Sequence, residues 1–201
     1  QRSRNLAFAL LIGLLIPAVI IFARDYFDTR IESKEDIEYN THVPVLGTIG
    51  HNHAHTELPV YENPRAAMAE SFRRIRTNLQ YIMREKDQKV IMMTSTVSGE
   101  GKTFAALNLA SIMAMSNKKI LLAGMDLRRP TLHKVFGLDN EQGISTYLIN
   151  KNNFNDTIRQ VEPENLYISV AGPVPPNPAE LIETDRMNQY FREARSQFDY
   201  I

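Results

Sequence analysis

A short apolar segment, a glycine-containing loop and an apolar helix follow one another in the middle of this chain. Residues 89–94 form the segment, residues 95–103 the loop, and residues 104–115 the helix. A short apolar run of this kind is typical of a buried parallel strand. The loop glycines let the backbone wrap tightly, so that successive N–H groups and the positive end of the helix face one point. This order predicts an α/β fold with a phosphate-binding loop at the sheet edge.

The loop itself resembles the motif G-x-x-x-x-G-K-[ST], in which the Lys reaches the β- and γ-phosphates of a nucleotide and the hydroxyl residue ligates magnesium. Those two roles fall on Lys102 and Thr103. The first glycine of the motif is Thr96 here, which leaves a plain structural strand, turn and helix as the alternative. We predict that this loop binds ATP with Mg²⁺ through seven residues. They are Ser98, Gly99, Glu100, Gly101, Lys102, Thr103 and Phe104.

A second apolar run, residues 119–123, is followed by Gly124, Met125 and Asp126. The carboxyl ends of parallel strands meet at the crevice where ligands bind, so we expect Asp126 close to the magnesium ion. The alternative is that Asp126 caps the turn. Arg128 and Arg129, which follow it, suit contact with a phosphate or with a partner subunit, and the sequence does not separate these roles.

A further helix is predicted to begin at Asn63 as N-cap, with Pro64 in its first turn. Apolar residues recur at spacings of four and three, which defines a buried stripe; they are Met68, Phe72, Ile75, Leu79 and Ile82. Glu70 and Arg73 face away from that stripe, and Arg76 lies at its flank. Exposed charges are usually solvated, so a solvated face is favoured over a subunit contact on these residues alone.

An apolar run near the start of the chain predicts a transmembrane helix over residues 6–23. Sixteen of these 18 residues are hydrophobic, and none is charged. Eighteen helical residues span roughly 27 Å, close to the thickness of the bilayer core. A signal peptide and a buried core helix are the alternatives. Three basic residues soon after the run against two before it favour a cytoplasmic C-terminal side. We assign residues 1–5 to an extracytoplasmic part and residues 24–62 to a juxtamembrane linker.

Composition removes several function classes. The chain has no cysteine, which excludes disulfides, thiolate catalysis and cysteine-based zinc sites. Its 23 basic residues balance 23 acidic ones, which argues against a nucleic-acid partner. Alternating His51, His53 and His55 suit either a transition-metal site or a polar loop. The polar loop is favoured because no carboxylate or Cys completes the ligand set.

Several motifs in combination resemble the bacterial tyrosine kinases of capsular and exopolysaccharide export. They are the helix motif Glu70-x-x-Arg73-x-x-Arg76, the loop from Ser98 to Thr103, the run Asp126-Leu127-Arg128-Arg129-Pro130, and the segment from Gly172 to Leu181. The apolar run and the Pro44-Val45-Leu46-Gly47 linker are similar to the second transmembrane helix and juxtamembrane region of that family's chain-length-determinant part. The resemblance covers nearly the whole chain.

The resemblance implies an inner-membrane, cytoplasm-facing kinase that transfers the γ-phosphoryl group of ATP to tyrosines, mainly on its own C-terminal tail. It implies a ring of identical subunits with Glu70, Arg73 and Arg76 at the interface, and the polysaccharide export and polymerisation machinery as partner. Lys102 and Asp126 become the candidate catalytic residues, and Thr103 and Asp126 the metal ligands. The first Asp of the family's two-Asp motif is Gly124 here.

The remaining segments continue the alternation of strands and helices. We predict a strand over residues 166–170, a helix over residues 178–197 capped by Asn177, and the start of another strand over residues 198–201. The fold class is therefore α/β, an incomplete P-loop NTPase-type parallel sheet over residues 63–201, flanked by helices and preceded by one transmembrane helix.

Because the chain begins with Gln1 and stops at Ile201, we expect a fragment that is inactive alone, with a later carboxylate and a tyrosine-rich tail beyond it. Two other functions remain open. One is a non-kinase P-loop ATPase of the partitioning or positioning type. The other is a polysaccharide co-polymerase with an inactive nucleotide domain, which the glycine at position 124 leaves open.

Overall fold

The computed structural model describes residues 1–28, 30–31, 33–53, 56–83, 89–97 and 99–201. The chain divides into two compact units, Gln1–Val45 and Leu46–Ile201. Two residues singled out above, His55 and Ser98, lie outside the described residues. The rings of His51 and His53 lie with their centroids 5.0 Å apart. The metal site that would need His55 as a third ligand stays a hypothesis.

The first unit contains helix α1, Arg2–Tyr26, and helix α2, Lys34–Asn40. Helix α1 includes all of the predicted span and is long and apolar enough to cross a membrane. The large apolar side chains from Leu10 to Phe22 are exposed, which is what a lipid-facing helix requires. Helix α2 begins in a capping box, in which Ser33 and Asp36 each bind the other's main-chain N–H.

The second unit is built around a sheet of strands β1, Ile120–Ala123, β2, Ile158–Val161, and β3, Leu166–Ser169, in the order β1-β3-β2. Strands β1 and β3 are parallel, as predicted. Strand β2 pairs antiparallel with β3 and makes the sheet mixed. The sequence did not predict β2 because its central residues, Arg159 and Gln160, are polar and exposed.

Two extended segments continue the sheet beyond β1. The Leu121 N–H donates to the Tyr200 carbonyl at 3.0 Å, which places residues 199–201 beside β1. The Ile91 N–H donates to the Ile201 carbonyl, and the Ile201 N–H to the Lys89 carbonyl, each at 2.8 Å. The segment 89–94, predicted as a strand, is thus joined to the sheet at residues 89–91 through the segment that follows the last helix.

Helices cover both faces of this sheet. They are α3, Pro59–Glu62, α4, Ala67–Ile82, α5, Lys102–Ala114, α6, Leu132–Val135, α7, Ile144–Leu148, α8, Pro178–Ile182, and α9, Asp185–Gln197. Ile120 packs in the core that α4 and α5 share, and Leu121 packs in the core of α7 and α9. Successive strand residues point to opposite faces, so β1 is sandwiched between two helical layers. The predicted α/β class is confirmed.

Helix α4 begins later than predicted, because Asn63 ends α3 and the Ala66 N–H donates to the Asn63 carbonyl to close a turn. The prediction that Asn63 caps the helix was wrong. The predicted stripe is confirmed at Phe72, which is buried, and at the partly buried Met68, Ile75 and Leu79. Ile82, the last residue of α4, is 51% exposed and lies outside the core.

The helix predicted over residues 178–197 is two helices. Thr184 is extended, with ψ at 154°, and its hydroxyl donates to the Leu181 carbonyl, which ends α8 and starts α9 afresh. The Asn177 side chain makes no cap bond to the helix and donates instead to the Glu180 carboxylate at 2.7 Å. Asn177 is thus the N-cap residue of α8, as predicted, but its side chain does not cap the helix.

Candidate functional site

Two glycines shape the loop between the extended segment 89–94 and α5. Gly99 has φ +95° and Gly101 has φ +87°, both in the left-handed region that side chains disfavour. A Cβ at either position would meet open space, so the backbone conformation is what requires glycine. Gly101 is also the N-cap of α5, and its carbonyl accepts the Ala105 N–H at 2.8 Å. The loop therefore turns directly into the helix N-terminus, as predicted.

The Glu100 side chain has a role that the sequence did not predict. One carboxylate oxygen, Oε2, accepts the Thr96 N–H at 2.9 Å and the Val97 N–H at 3.3 Å. The Ser95 hydroxyl donates to the Val97 carbonyl at 3.0 Å. The first half of the loop is thus held by a carboxylate from its second half. An acidic residue four positions after Thr96 was the signal available in the sequence.

The first turn of α5 carries Lys102, Thr103 and Phe104, all partly buried. The Phe104 ring lies 6.3 Å from the ring of Phe72 on α4 and packs in the core. The side chain of Phe104 therefore belongs to the packing between α4 and α5, and the predicted role in nucleotide binding is left to its main chain.

A cavity of about 690 Å³ lies between the loop helix and the end of β1. Lys102, Thr103 and Asp126 all line it, together with Gly124 and Thr94. The structure therefore brings the predicted phosphate and metal residues of α5 together with the carboxylate that follows β1. Thr103 and Asp126 offer hydroxyl and carboxylate oxygens, the donors that Mg²⁺ prefers.

Asp126 caps a turn, the role that the sequence offered as the alternative to a place close to the magnesium ion. Its Oδ1 atom accepts the main-chain N–H groups of Arg128 at 3.2 Å and Arg129 at 2.9 Å. The carboxylate therefore caps the turn after β1 and also borders the cavity. These bonds fix its orientation without requiring a partner side chain.

Gly124 stands where the resemblance places a first Asp. Its N–H donates to the Ser169 carbonyl at 2.8 Å, so its main chain prolongs the pairing of β1 with β3. A Cβ here would lie 3.3 Å from the Ala171 nitrogen and 3.5 Å from the Leu132 side chain. A side chain at this position therefore requires the main chain at Ala171 to shift by a few tenths of an ångström.

The predicted interface residues on α4 lie apart from the residues that line the cavity. Arg73 binds the Glu70 carboxylate at 3.2 Å and the Pro64 carbonyl at 2.6 Å. Arg76 binds the Ile112 carbonyl at 3.2 Å and the Ser116 hydroxyl, both at the end of α5. Both guanidinium groups thus have partners within the chain, and the ring interface stays a prediction.

Asn108, which the sequence analysis did not single out, is fully buried in α5. Its Oδ1 accepts the Val60 N–H at 3.3 Å, and its Nδ2 donates to the carbonyls of Glu57 and Phe104 at 2.9 Å. A single Asn inside the apolar helix 104–115 was the signal that could have identified it. This side chain fastens the segment before α4 to the helix that carries Lys102.

Comparison with known proteins gives consistent matches. The sequence profile of a family described as an AAA domain matches residues 88–201. The tyrosine-protein kinase YwqD of Bacillus subtilis (strain 168) is 36% identical over 138 residues, which are 69% of this chain and 58% of YwqD. The tyrosine-protein kinase etk of Escherichia coli (strain K12) is 29% identical over 223 aligned residues, covering 100% of this chain and 31% of etk. The chain thus spans less than two thirds of each of these relatives.

Solved structures agree with this result. The kinase domain of the Escherichia coli tyrosine kinase ETK superposes with a TM-score of 0.78 at 31% identity, covering 85% of this chain and 71% of that domain. The chimerical protein CapA2B2 superposes with a TM-score of 0.77 at 33% identity, covering 84% and 73% of the two chains.

Proposed function

This chain belongs to the bacterial tyrosine-kinase family, and we propose that the complete protein transfers the γ-phosphoryl group of ATP to tyrosine hydroxyls, chiefly its own. The family membership that the motifs predicted is confirmed by the comparisons. The observation that carries the proposal is that Lys102, Thr103 and Asp126 all line one cavity.

Each of these residues suits one part of phosphoryl transfer, which depends mainly on positioning and charge stabilisation. The Lys102 ammonium offsets the charge of the β- and γ-phosphates. The Thr103 hydroxyl and the Asp126 carboxylate would hold Mg²⁺, which when bound neutralises charge on the phosphate oxygens. Asp126 is also the candidate to accept the phenolic proton, because its carboxylate borders the cavity. The N–H groups from Gly99 to Phe104 would bind phosphate oxygens.

The test is to incubate the complete protein with Mg-ATP and to locate phosphotyrosine by mass spectrometry. Phosphotyrosine on the protein supports the kinase. Release of phosphate without phosphotyrosine would favour the ATPase of the partitioning or positioning type. Nucleotide binding with neither product would favour a co-polymerase whose nucleotide domain is inactive.

The complete protein is proposed to lie in the bacterial inner membrane with its kinase part in the cytoplasm. Residues 1–5 would end an extracytoplasmic part, and residues 6–23 would span the membrane. Residues 24–62 would connect the membrane helix to the kinase domain, to which residues 63–201 would belong. The length and exposed apolar surface of α1 support the span. Ring assembly through Glu70, Arg73 and Arg76, and association with the polysaccharide export and polymerisation machinery, complete the proposal.

The role of Asp126 as metal ligand predicts the effect of a second carboxylate at position 124. Gly124→Asp should fold, since its Cβ meets neighbours at 3.3 Å or more. We expect it to lower the Mg²⁺ concentration that gives half-maximal nucleotide binding by about threefold or more, because hard cations gain affinity with each added carboxylate. Titration of Mg²⁺ against nucleotide binding measures this shift. Gly124→Ala supplies the same Cβ without the charge, and an equal shift in both variants would contradict the metal role.

A further inference from the structure

The segment just before α4 is fastened to the surface of the nucleotide-binding helix. We call residues 56–62 the strap; it includes α3. Val60 is fully buried in the core that α4 and α5 share, and its N–H is bound by the buried Asn108. Asn108 also holds the Glu57 carbonyl, so one side chain of α5 fixes two strap residues. The same helix carries Lys102 and Thr103 in its first turn.

Tyr61 attaches the strap to the rest of the domain at the protein surface. Its hydroxyl donates to the Glu162 Oε2 atom at 2.9 Å, in a bond at the protein surface. Glu162 directly follows strand β2, so this bond joins the strap to the sheet edge. The hydrogen bond to the carboxylate raises the pKa of Tyr61, which keeps the phenol protonated. The hydroxyl groups of Tyr147 and Tyr190, by contrast, belong to fully buried side chains.

We propose that Tyr61 is a phosphoryl acceptor and that its phosphorylation releases the strap from α5. This inference rests on the proposed kinase activity, for which it names a substrate tyrosine. In the transfer, the Tyr61 oxygen forms a bond to the γ-phosphorus while the bond from that phosphorus to the β–γ bridging oxygen breaks. ADP leaves with the bonding electron pair. The phenolic proton passes to the Asp126 carboxylate, the proton acceptor of the proposed function, and from there to water.

Phosphorylation of Tyr61 replaces an attractive interaction with Glu162 by a repulsive one. A phosphotyrosine carries a charge of about −1.5 to −2 at neutral pH and no longer donates a hydrogen bond. It would face the Glu162 carboxylate, and like charges at this distance repel. Detachment of the strap then removes the Val60 and Glu57 partners of the buried Asn108, which is costly for a buried amide. Phosphorylation at the surface is thereby coupled to the helix that holds the phosphate-binding loop.

The first experiment maps phosphorylation sites on the complete protein after incubation with Mg-ATP. We expect phosphate on the peptide that contains Tyr61 and none on the peptide that contains the buried Tyr190. Phosphotyrosine at other positions with none at Tyr61 would overturn this inference and leave the proposed function intact. Absence of phosphotyrosine from the whole protein would overturn both.

The second experiment tests the release without requiring kinase activity. In the complete protein, Tyr61→Glu places a negative charge against Glu162, and Tyr61→Phe removes the hydroxyl alone. We expect hydrogen exchange at the Val60 amide to accelerate at least about tenfold in Tyr61→Glu and less than about threefold in Tyr61→Phe. Adding Glu162→Lys to Tyr61→Glu should restore slow exchange, because the pair becomes attractive. Equal exchange in Tyr61→Glu with and without Glu162→Lys would overturn the repulsion mechanism.

Discussion

Replacing Lys102 with Met in the complete protein should reduce the rate of phosphotyrosine formation from Mg-ATP by about a hundredfold or more. Methionine keeps most of the length of the side chain but removes its positive charge. A preorganised charge that stabilises the transition state is typically worth about 10²- to 10³-fold in rate. Lys102 borders the cavity beside Thr103 and Asp126, where its ammonium group would face the transferred phosphoryl group. Phosphotyrosine quantified by mass spectrometry over time measures the effect.

The matched control is Lys151→Met, which removes the charge of an exposed lysine outside the cavity lining. We expect this variant to retain the unmodified rate. Equal labelling of Lys102→Met and the unmodified protein would mean that another kinase is responsible, and the proposed function would fail. Calorimetric titration with Mg-ATP on the same variants separates a loss of binding from a loss of transfer.

A second large effect is expected from Gly143→Ala, although this substitution adds only one methyl group. Gly143 precedes α7, and the chain passes so close to residues 170–172 there that a Cβ would lie 2.3 Å from the Gly172 nitrogen and 2.4 Å from the Val170 oxygen. These are main-chain atoms, which cannot rotate away as a side chain would. The two segments are also joined by hydrogen bonds from Ile144 and Ser145 to the carbonyls of residues 170 and 171. The methyl group must therefore push apart two bonded segments.

We expect Gly143→Ala to lower the free energy of unfolding by about 3 kcal/mol, at the upper end of what overpacking usually costs. For a protein of this size that corresponds to a fall in the melting temperature of about 10 °C. Thermal unfolding followed by circular dichroism measures it.

Alanine substitutions at two other glycines serve as controls, which separate the cost of the close contact at Gly143 from other effects of adding a methyl group. Gly137→Ala introduces strain without contact, since Gly137 has φ +59° and open space around it, and should cost about 1 kcal/mol. Gly50→Ala adds a methyl group in open space and should be nearly neutral. A melting temperature for Gly143→Ala equal to that of Gly50→Ala would show that the two segments separate without cost.

The sequence was sufficient to predict helices and strands where they coincide with a continuous apolar run. Strands β1 and β3 and the body of α5 are mostly apolar, so their positions were predicted to within one or two residues. Strand β2 was not predicted from the sequence because Arg159 and Gln160 interrupt any apolar run. Its position depends on its pairing with β3. The late start of α4 and the break between α8 and α9 depend on turns at Ala66 and Thr184 that composition does not signal.

The candidate site was predictable for a related reason. Because parallel strands end at a common edge, the position of Asp126 after β1 was enough to expect it near Lys102 and Thr103, and all three line one cavity. The side chains of Glu100 and Phe104 have roles that are tertiary, one within the loop and one in the core. The attachment of the strap by Asn108 joins segments distant in sequence, and no local pattern encodes it.

The hydrogen bonds that join Lys89 and Ile91 to Ile201 have a consequence for the order of events during synthesis. The segment that leads into the phosphate-binding loop gains its place in the sheet through residues made much later in translation. Loop-closing contacts of such long range form slowly and cannot form before the later residue has left the ribosome. Nucleotide capture is therefore expected to be among the last properties that a nascent chain acquires, after the membrane segment has already emerged.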